Sequence, residues 1–220
     1  MACLTAAEAA GLPNVNADDE RLPMDARVTE FQCIMPLDNI RSVLKHGILS
    51  NERVAKLPHH SVAMPEVQER RELKQVPRGL KLHQYANLYF HARNPMMYKR
   101  RAHAADLCVL CVSLDVLKVE GVVLADCNAS SKYVRFLPPS PAYERFLDFD
   151  DIFAEDWRHR EDPIEEMRHK SRKCAEVLVP HVVEPRFLIG ARVVNDAVKR
   201  RLAGLGFTLR IDIDPVLFFR

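Results

Sequence analysis

Glycine is scarce, with seven in 220 residues. No segment carries the glycine clusters of a P-loop or a dinucleotide-binding fingerprint, and no Gly-x-Ser-x-Gly elbow occurs. If the chain handles a nucleotide, it does so on another fold. No apolar run approaches the ~18 residues of a membrane helix. The longest, Leu107–Leu114, is strand-sized. The opening residues lack a basic region followed by an apolar core, so a secretory leader is not expected. Six cysteines are too few and too dispersed for a disulfide framework and are expected as reduced thiols in a cytoplasmic protein. A strong net charge is also missing, since 32 basic residues meet 30 acidic ones. No internal repeat or low-complexity tract appears. What is present, 48% hydrophobic and 28% charged residues, is enough to bury a core and excludes wholesale disorder.

The near-neutral sum hides segregation. Between Glu66 and Arg101 nine Lys/Arg face three Glu, and between Glu144 and Glu166 ten acidic residues face three Arg. Such a chain can offer a cationic face to an anionic partner, or the two faces can simply compensate each other.

Residues 1–25 are small, polar and patternless and read as a flexible N-terminal tail, leaving 26–220 as a single domain. Phe31–Met35 reads as a strand broken by Pro36. A helix follows with Asp38 as its cap, Ile40, Val43 and Leu44 at helical spacing, and Gly47 as its stop. Residues 51–82 lack a sustained apolar period and read as a long basic loop insertion, with a short helix in Ala63–Lys74 that places Pro65 in its first turn. Strands are expected at Asn87–Phe90, Leu107–Leu114, Val122–Leu124, after Arg172, at Pro185–Ala191 and at Phe207–Ile213. Helices are expected at Asp150–Trp157 and Asn195–Ala203. The mixture without a regular βαβ alternation indicates an α+β fold.

Cys108-x-x-Cys111 has the spacing of half a zinc site, but no second ligand pair accompanies it and it lies inside an apolar strand. His59-His60 has no carboxylate at metal spacing and reads as a surface pair. No metal is expected.

Four segments combine chemistry that packing alone does not explain. They are Leu37-Asp38-Asn39-Ile40 with Gly47-Ile48-Leu49 behind it, then Arg70-Arg71 in a loop, then Tyr89-Phe90-His91-Ala92-Arg93-Asn94-Pro95-Met96-Met97-Tyr98, and then Ser171-Arg172-Lys173-Cys174-Ala175-Glu176-Val177-Leu178-Val179-Pro180. Together they resemble the DarT family of DNA ADP-ribosyltransferase toxins. The third looks like its aromatic-x-x-x-Arg-Asn-Pro-Met signature and the fourth like its Arg-x-x-Ala-Glu-hydrophobic-Leu-Val signature. Asp126-x-Asn128-Ala129 and Phe149-Asp150 fall between them in matching order. The resemblance implies an ADP-ribosyltransferase (PARP-like) fold with a split, bent β-core. It implies NAD as co-substrate, transfer of ADP-ribose to a base of single-stranded DNA, most often thymine, and a DarG-type macrodomain antitoxin as partner.

By the same resemblance Glu176 and Arg71 are the catalytic candidates, with Arg70 as the alternative arginine. Glu176 would stabilise the cationic ribose formed as nicotinamide leaves, and would accept the proton of the attacking base nitrogen. An edge-strand Glu paired with Arg172 or Lys173 is the competing reading. Cys33, Met35, Asp38, Asn39, Met97 and Tyr98 fall on segments that line the NAD end. Helix capping competes for Asp38, and core packing for Met97 and Tyr98. Tyr85, Tyr89, Arg93, Lys99 and Arg100 combine rings with cations, as single-strand binders do. The chain departs from the family where a His-x-Thr normally precedes the Asn element. Cys33 and Met35 stand there, with Gln32 next door as a substitute if the strand shifts register. That departure leaves open a guanine-directed member and an inactive single-strand-binding domain.

Overall fold

The computed structural model describes residues 25–61, 64–140, 143 and 145–220. The expected tail lies outside the described residues except for Asp25. The chain runs β1 (Phe31–Pro36), α1 (Ile40–His46), β2 (Ile48–Leu49), α2 (Asn51–Val54), α3 (Pro65–Glu72), β3 (Tyr85–Tyr89), α4 (Pro95–Arg100), β4 (Leu107–Val112), β5 (Val123–Ala125) and β6 (Phe136–Leu137). It continues through α5 (Phe149–Phe153), α6 (Pro163–Arg172), β7 (Glu176–Pro180), β8 (Val182–Val183), β9 (Leu188–Val193), α7 (Asp196–Gly204) and β10 (Arg210–Ile213).

Eight strands form one sheet in the order β10-β9-β4-β1-β3-β7-β5-β6, antiparallel except for the β9–β10 edge. Its weak seam is in the middle. β1 pairs with β4 along its whole length, from Phe31 opposite Val112 to Pro36 opposite Leu107. β3 pairs with β7 from Tyr85 opposite Pro180 to Tyr89 opposite Glu176. Between β1 and β3 the register is the single pair Gln32–Tyr89. The two halves therefore diverge after one rung, and the functional cleft opens in that fork.

Leu-Cys-Val-Leu-Cys-Val of β4 is buried at every position, as a central strand covered on both faces must be. Cys108 and Cys111 sit within this run, and burial pushes the Cys111 thiol up to about 12. Gly47 ends α1 with φ +80°, and its N–H donates to Val43 O. An added Cβ would stand 2.2 Å from Val183 O, because β2 pairs antiparallel with β8 there.

Asp38 is not a helix cap. It lies inside a 3₁₀ turn (Leu37–Asn39) entered from Pro36. The expected acidic helix stops at Phe153 instead of Trp157, and α6, which precedes the Glu176 strand, was not anticipated. Asp162 caps α6 by accepting from Ile164 and Glu165 N–H, and Pro163 occupies its first turn. No described helix is long and apolar enough to cross a membrane.

Candidate active site

The cleft holds about 280 Å³. Cys33 and Met35 of β1 and Tyr85, Asn87 and Tyr89 of β3 line the fork. Arg71 and Gln68 of α3 close it from one side, and Glu176 is at its floor.

Glu176 opens β7 between two neighbours, opposite Tyr89 on β3 and Ala125 on β5. Its side chain is 2% exposed. Arg71 Nη1 donates to both carboxylate oxygens, at 3.1 Å to Oε1 and 2.9 Å to Oε2, and Ala129 N–H donates to Oε1 at 2.9 Å. A buried carboxylate is tolerated only with such compensation. The edge-strand alternative does not hold. Arg172 is engaged by Asp151 and Glu165, and Lys173 donates to Ile152 O at 2.9 Å.

Arg70 and Arg71 occupy the last turn of α3, not a loop. Successive helical residues diverge by about 100°, so Arg71 turns inward to 6% exposure while Arg70 faces solvent. Lys74, just past the helix, donates to Ser131 O and lies over the Phe136 ring. Burial holds its amine below the usual lysine range, with the nearby Arg71 cation adding to the effect.

Tyr89 is buried at the edge of the cleft, and its hydroxyl donates to Met96 Sδ at 3.6 Å. Burial, reinforced by the adjacent Glu176 charge, raises its phenol well above the ordinary tyrosine value, so it stays protonated. Burial also pushes the Cys33 and Cys174 thiols, both lining the cleft, up to about 12. They are neutral and do not serve as nucleophiles at pH 7.

Cys33 and Met35 face the cleft, with neither able to act as an imidazole would. Gln32 does not substitute, because it does not line the cleft and its amide is spent donating to Glu30 and accepting from Ala92 N–H. Asn39 lines the cleft, but its amide is spent on a loop: Nδ2 donates to His60 O at 2.7 Å and Oδ1 accepts from His60 N–H at 2.9 Å. This clamp makes 59–61 a wall of the cleft, so His59 and His60 border the site although both remain exposed to solvent.

Several expected site residues lie elsewhere. Asp38 is exposed, 3.8 Å from the His60 imidazole and off the cleft. Asn94 caps α4 by accepting from Met96 and Met97 N–H. That register sends Met96 into the cleft and Met97 into the core at 0% exposure. Tyr98 packs edge-on against Trp157 and Phe219, on the far side of α4. Tyr85 is buried, its hydroxyl accepting from Leu80 N–H, so like Tyr89 it offers no free ring face. Arg93 stacks on Phe219 and donates to Glu155 O, tying the acidic segment down rather than meeting a partner. Lys99 is exposed on the cleft rim beside Met64, and Arg100 is half-buried outside it. Asn87, Met96, Asn128 and the Ala129 amide belong to the site without having been singled out as site residues. Asn128 and Ala129 were legible only as a faint landmark.

Residues 33–219 match the family model described as ssDNA thymidine ADP-ribosyltransferase, DarT. A DNA ADP-ribosyl transferase–DNA ADP-ribosyl glycohydrolase fusion protein of Thermosipho africanus is 28% identical over 208 residues, covering 89% of this chain. The chain spans about half of that fusion's length, 51%. The fold is shared with Thermus sp. 2.9 DarT solved with ADP-ribosylated ssDNA, at TM-score 0.76 and 23% identity over 90% of this chain and 100% of that one. The same Thermus protein solved with NAD+ matches at TM-score 0.71 and 21% identity, over 87% of this chain and 98% of that one.

Proposed function

The chain belongs to the DarT family, and from that premise we propose that it is an NAD-dependent ADP-ribosyltransferase modifying a base, thymine, in single-stranded DNA. The observation that carries this is the Arg71–Glu176 pair at the floor of the forked sheet. The transferase–glycohydrolase fusion and the NAD+ and modified-DNA complexes of relatives support it. In this reading 26–220 is one transferase domain. It works in the cytoplasm as a toxin, opposed by a DarG-type macrodomain that removes the modification.

The chemistry follows from the floor of the cleft. The bond between nicotinamide nitrogen and ribose C1 breaks, its electron pair leaves with nicotinamide, and positive charge grows on the ribose. Glu176 is buried and already held in place by Arg71 and the Ala129 N–H, so its carboxylate stabilises that charge without reorganising and accepts hydrogen bonds from the ribose hydroxyls. A base nitrogen then bonds to C1 and gives its proton to the carboxylate. Arg71 keeps Glu176 oriented and supplies the opposite charge until the sugar's hydroxyls take over part of the hold. Cys33, Met35 and Met96 give the nicotinamide end a soft apolar lining, and Tyr89 remains a hydrogen-bond donor beside it.

The test is incubation with NAD and a mixed-sequence oligonucleotide, followed by mass spectrometry of both macromolecules. An ADP-ribosyl increment on a thymine supports the proposal. An increment on guanine makes it a guanine-directed member, and an increment on protein redirects the acceptor. Binding with no increment and no nicotinamide release reduces the chain to an inactive single-strand binder, as the missing His-x-Thr would then explain.

A further inference from the structure

Resting on the reading above, we infer that the acceptor strand crosses the protein between Leu73 and Tyr133, with Tyr133 stacking on a base next to the one modified. The rings expected to stack bases, Tyr85 and Tyr89, are buried and cannot do so. Among the described residues the large apolar side chains standing furthest into solvent are Leu73, 90% exposed, and Tyr133, 85% exposed. Single exposed apolar residues are ordinary. The position of these two is not.

Each belongs to one of the two segments that converge on Glu176. Leu73 follows Arg71 by two residues. Tyr133 follows Ala129, whose N–H donates to the Glu176 carboxylate, by four. Four Cα steps span at most about 15 Å, and the turn from Asn128 O to Ser131 N–H shortens that further. Lys74 fastens the segments together through Ser131 O. The surface they form leans cationic, with Arg70, Arg78 and Lys132 exposed against the exposed acids Glu69 and Glu72. Between 128 and 137 the charged residues are Lys132 and Arg135, and Arg135 is paired with Asp126. A projecting ring and an apolar wedge among cations, carried on the two segments that hold the Glu176 carboxylate, suit a single strand: phosphates meet the cations and bases meet the ring.

The experiment measures oligonucleotide binding by fluorescence anisotropy for wild type, Tyr133→Ala, Tyr133→Phe and Leu73→Ser. NAD binding is measured separately by calorimetry. Tyr133→Ala is expected to weaken oligonucleotide binding about tenfold or more, and Tyr133→Phe to stay near wild type. NAD affinity should not change. In a series of oligonucleotides each carrying one abasic residue, one position should cost the wild type affinity and cost Tyr133→Ala nothing further, a signature that a structural role would not give. Unchanged affinity in Tyr133→Ala, or the same abasic penalties in both proteins, overturns the inference while leaving the proposed function standing. A wild-type chain that binds no oligonucleotide overturns the DNA-directed function, and the inference with it.

Discussion

Removing either member of the Arg71–Glu176 pair should cost the protein both stability and activity, whereas removing both should cost activity alone. The side chains are 7% and 2% exposed, and the shorter contact is 2.9 Å. At an effective dielectric constant near 20 their gross attraction is about 6 kcal/mol, and taking each ion out of water costs several kcal/mol in return. The pair as a whole therefore contributes little net stability. A survivor without its partner keeps the desolvation cost and loses the attraction.

Arg71→Met and Glu176→Gln are each expected to destabilise by about 3–5 kcal/mol, which for a domain of this size lowers Tm by roughly 6–20 °C. The double variant Arg71→Met/Glu176→Met replaces two charges with apolar volume and should return to within about 1 kcal/mol of wild type. Activity does not recover. Glu176→Gln and the double variant should lose ADP-ribosyl transfer by about 10²–10³-fold or more, because the charge facing the ribose cation is gone. Thermal melts and denaturant titrations give the stabilities, and mass-spectrometric transfer rates give the activity. A double variant as unstable as the singles would refute the account of an uncompensated buried charge. Glu176→Gln retaining more than about a tenth of the transfer rate would refute the role of the carboxylate.

Two further outcomes follow from the fold. Burial, with the Lys173 and Arg93 cations nearby, lowers the His91 imidazole to about 4 from 6.5. The unfolded chain therefore binds this proton first as pH falls below 6.5, and stability drains away until pH 4, by about 3 kcal/mol. His91→Leu should flatten that part of the pH–Tm profile, and an unchanged slope would mean the imidazole is not the acid-sensitive group. Gly47→Ala meets both a left-handed φ of +80° and a carbonyl 2.2 Å away, so it should cost about 2 kcal/mol or more and separate β2 from β8. A melt indistinguishable from wild type would contradict it.

The strands were legible because buried β-runs announce themselves. Phe31–Met35 and Leu107–Leu114 differ from the observed β1 and β4 only at their ends. α6 was not, because its polar, charged sequence leaves only His169 fully buried, and it is held by a cap and ion pairs rather than by an apolar stripe. Neighbouring residues with different fates were also hard to read. Arg70 and Arg71, or Met96 and Met97, are equivalent in a motif. One residue of helical phase, fixed for α4 by the Asn94 cap, sends one member of each pair to the cleft and the other to solvent or core.

The expected nucleic-acid contacts are scattered for the same reason, and this points to how the site is assembled. Cations and rings alternate along 70–101 as they do in a single-strand binder, but a central strand buries its aromatic residues whatever their neighbours are. β3 takes Tyr85 and Tyr89 into the sheet, and the cations that follow fall on α4 and its flanks. Adjacency in sequence therefore does not become adjacency on the surface. Glu176 and Arg71 show the converse, lying 105 residues apart yet joined at 2.9 Å. Burial forces this pairing, since neither charge is stable there alone. The chemistry of the cleft is thus fixed by the requirement to neutralise one buried carboxylate, and in the proposal above the acceptor side is left to Tyr133 and Leu73, whose side chains stand in solvent.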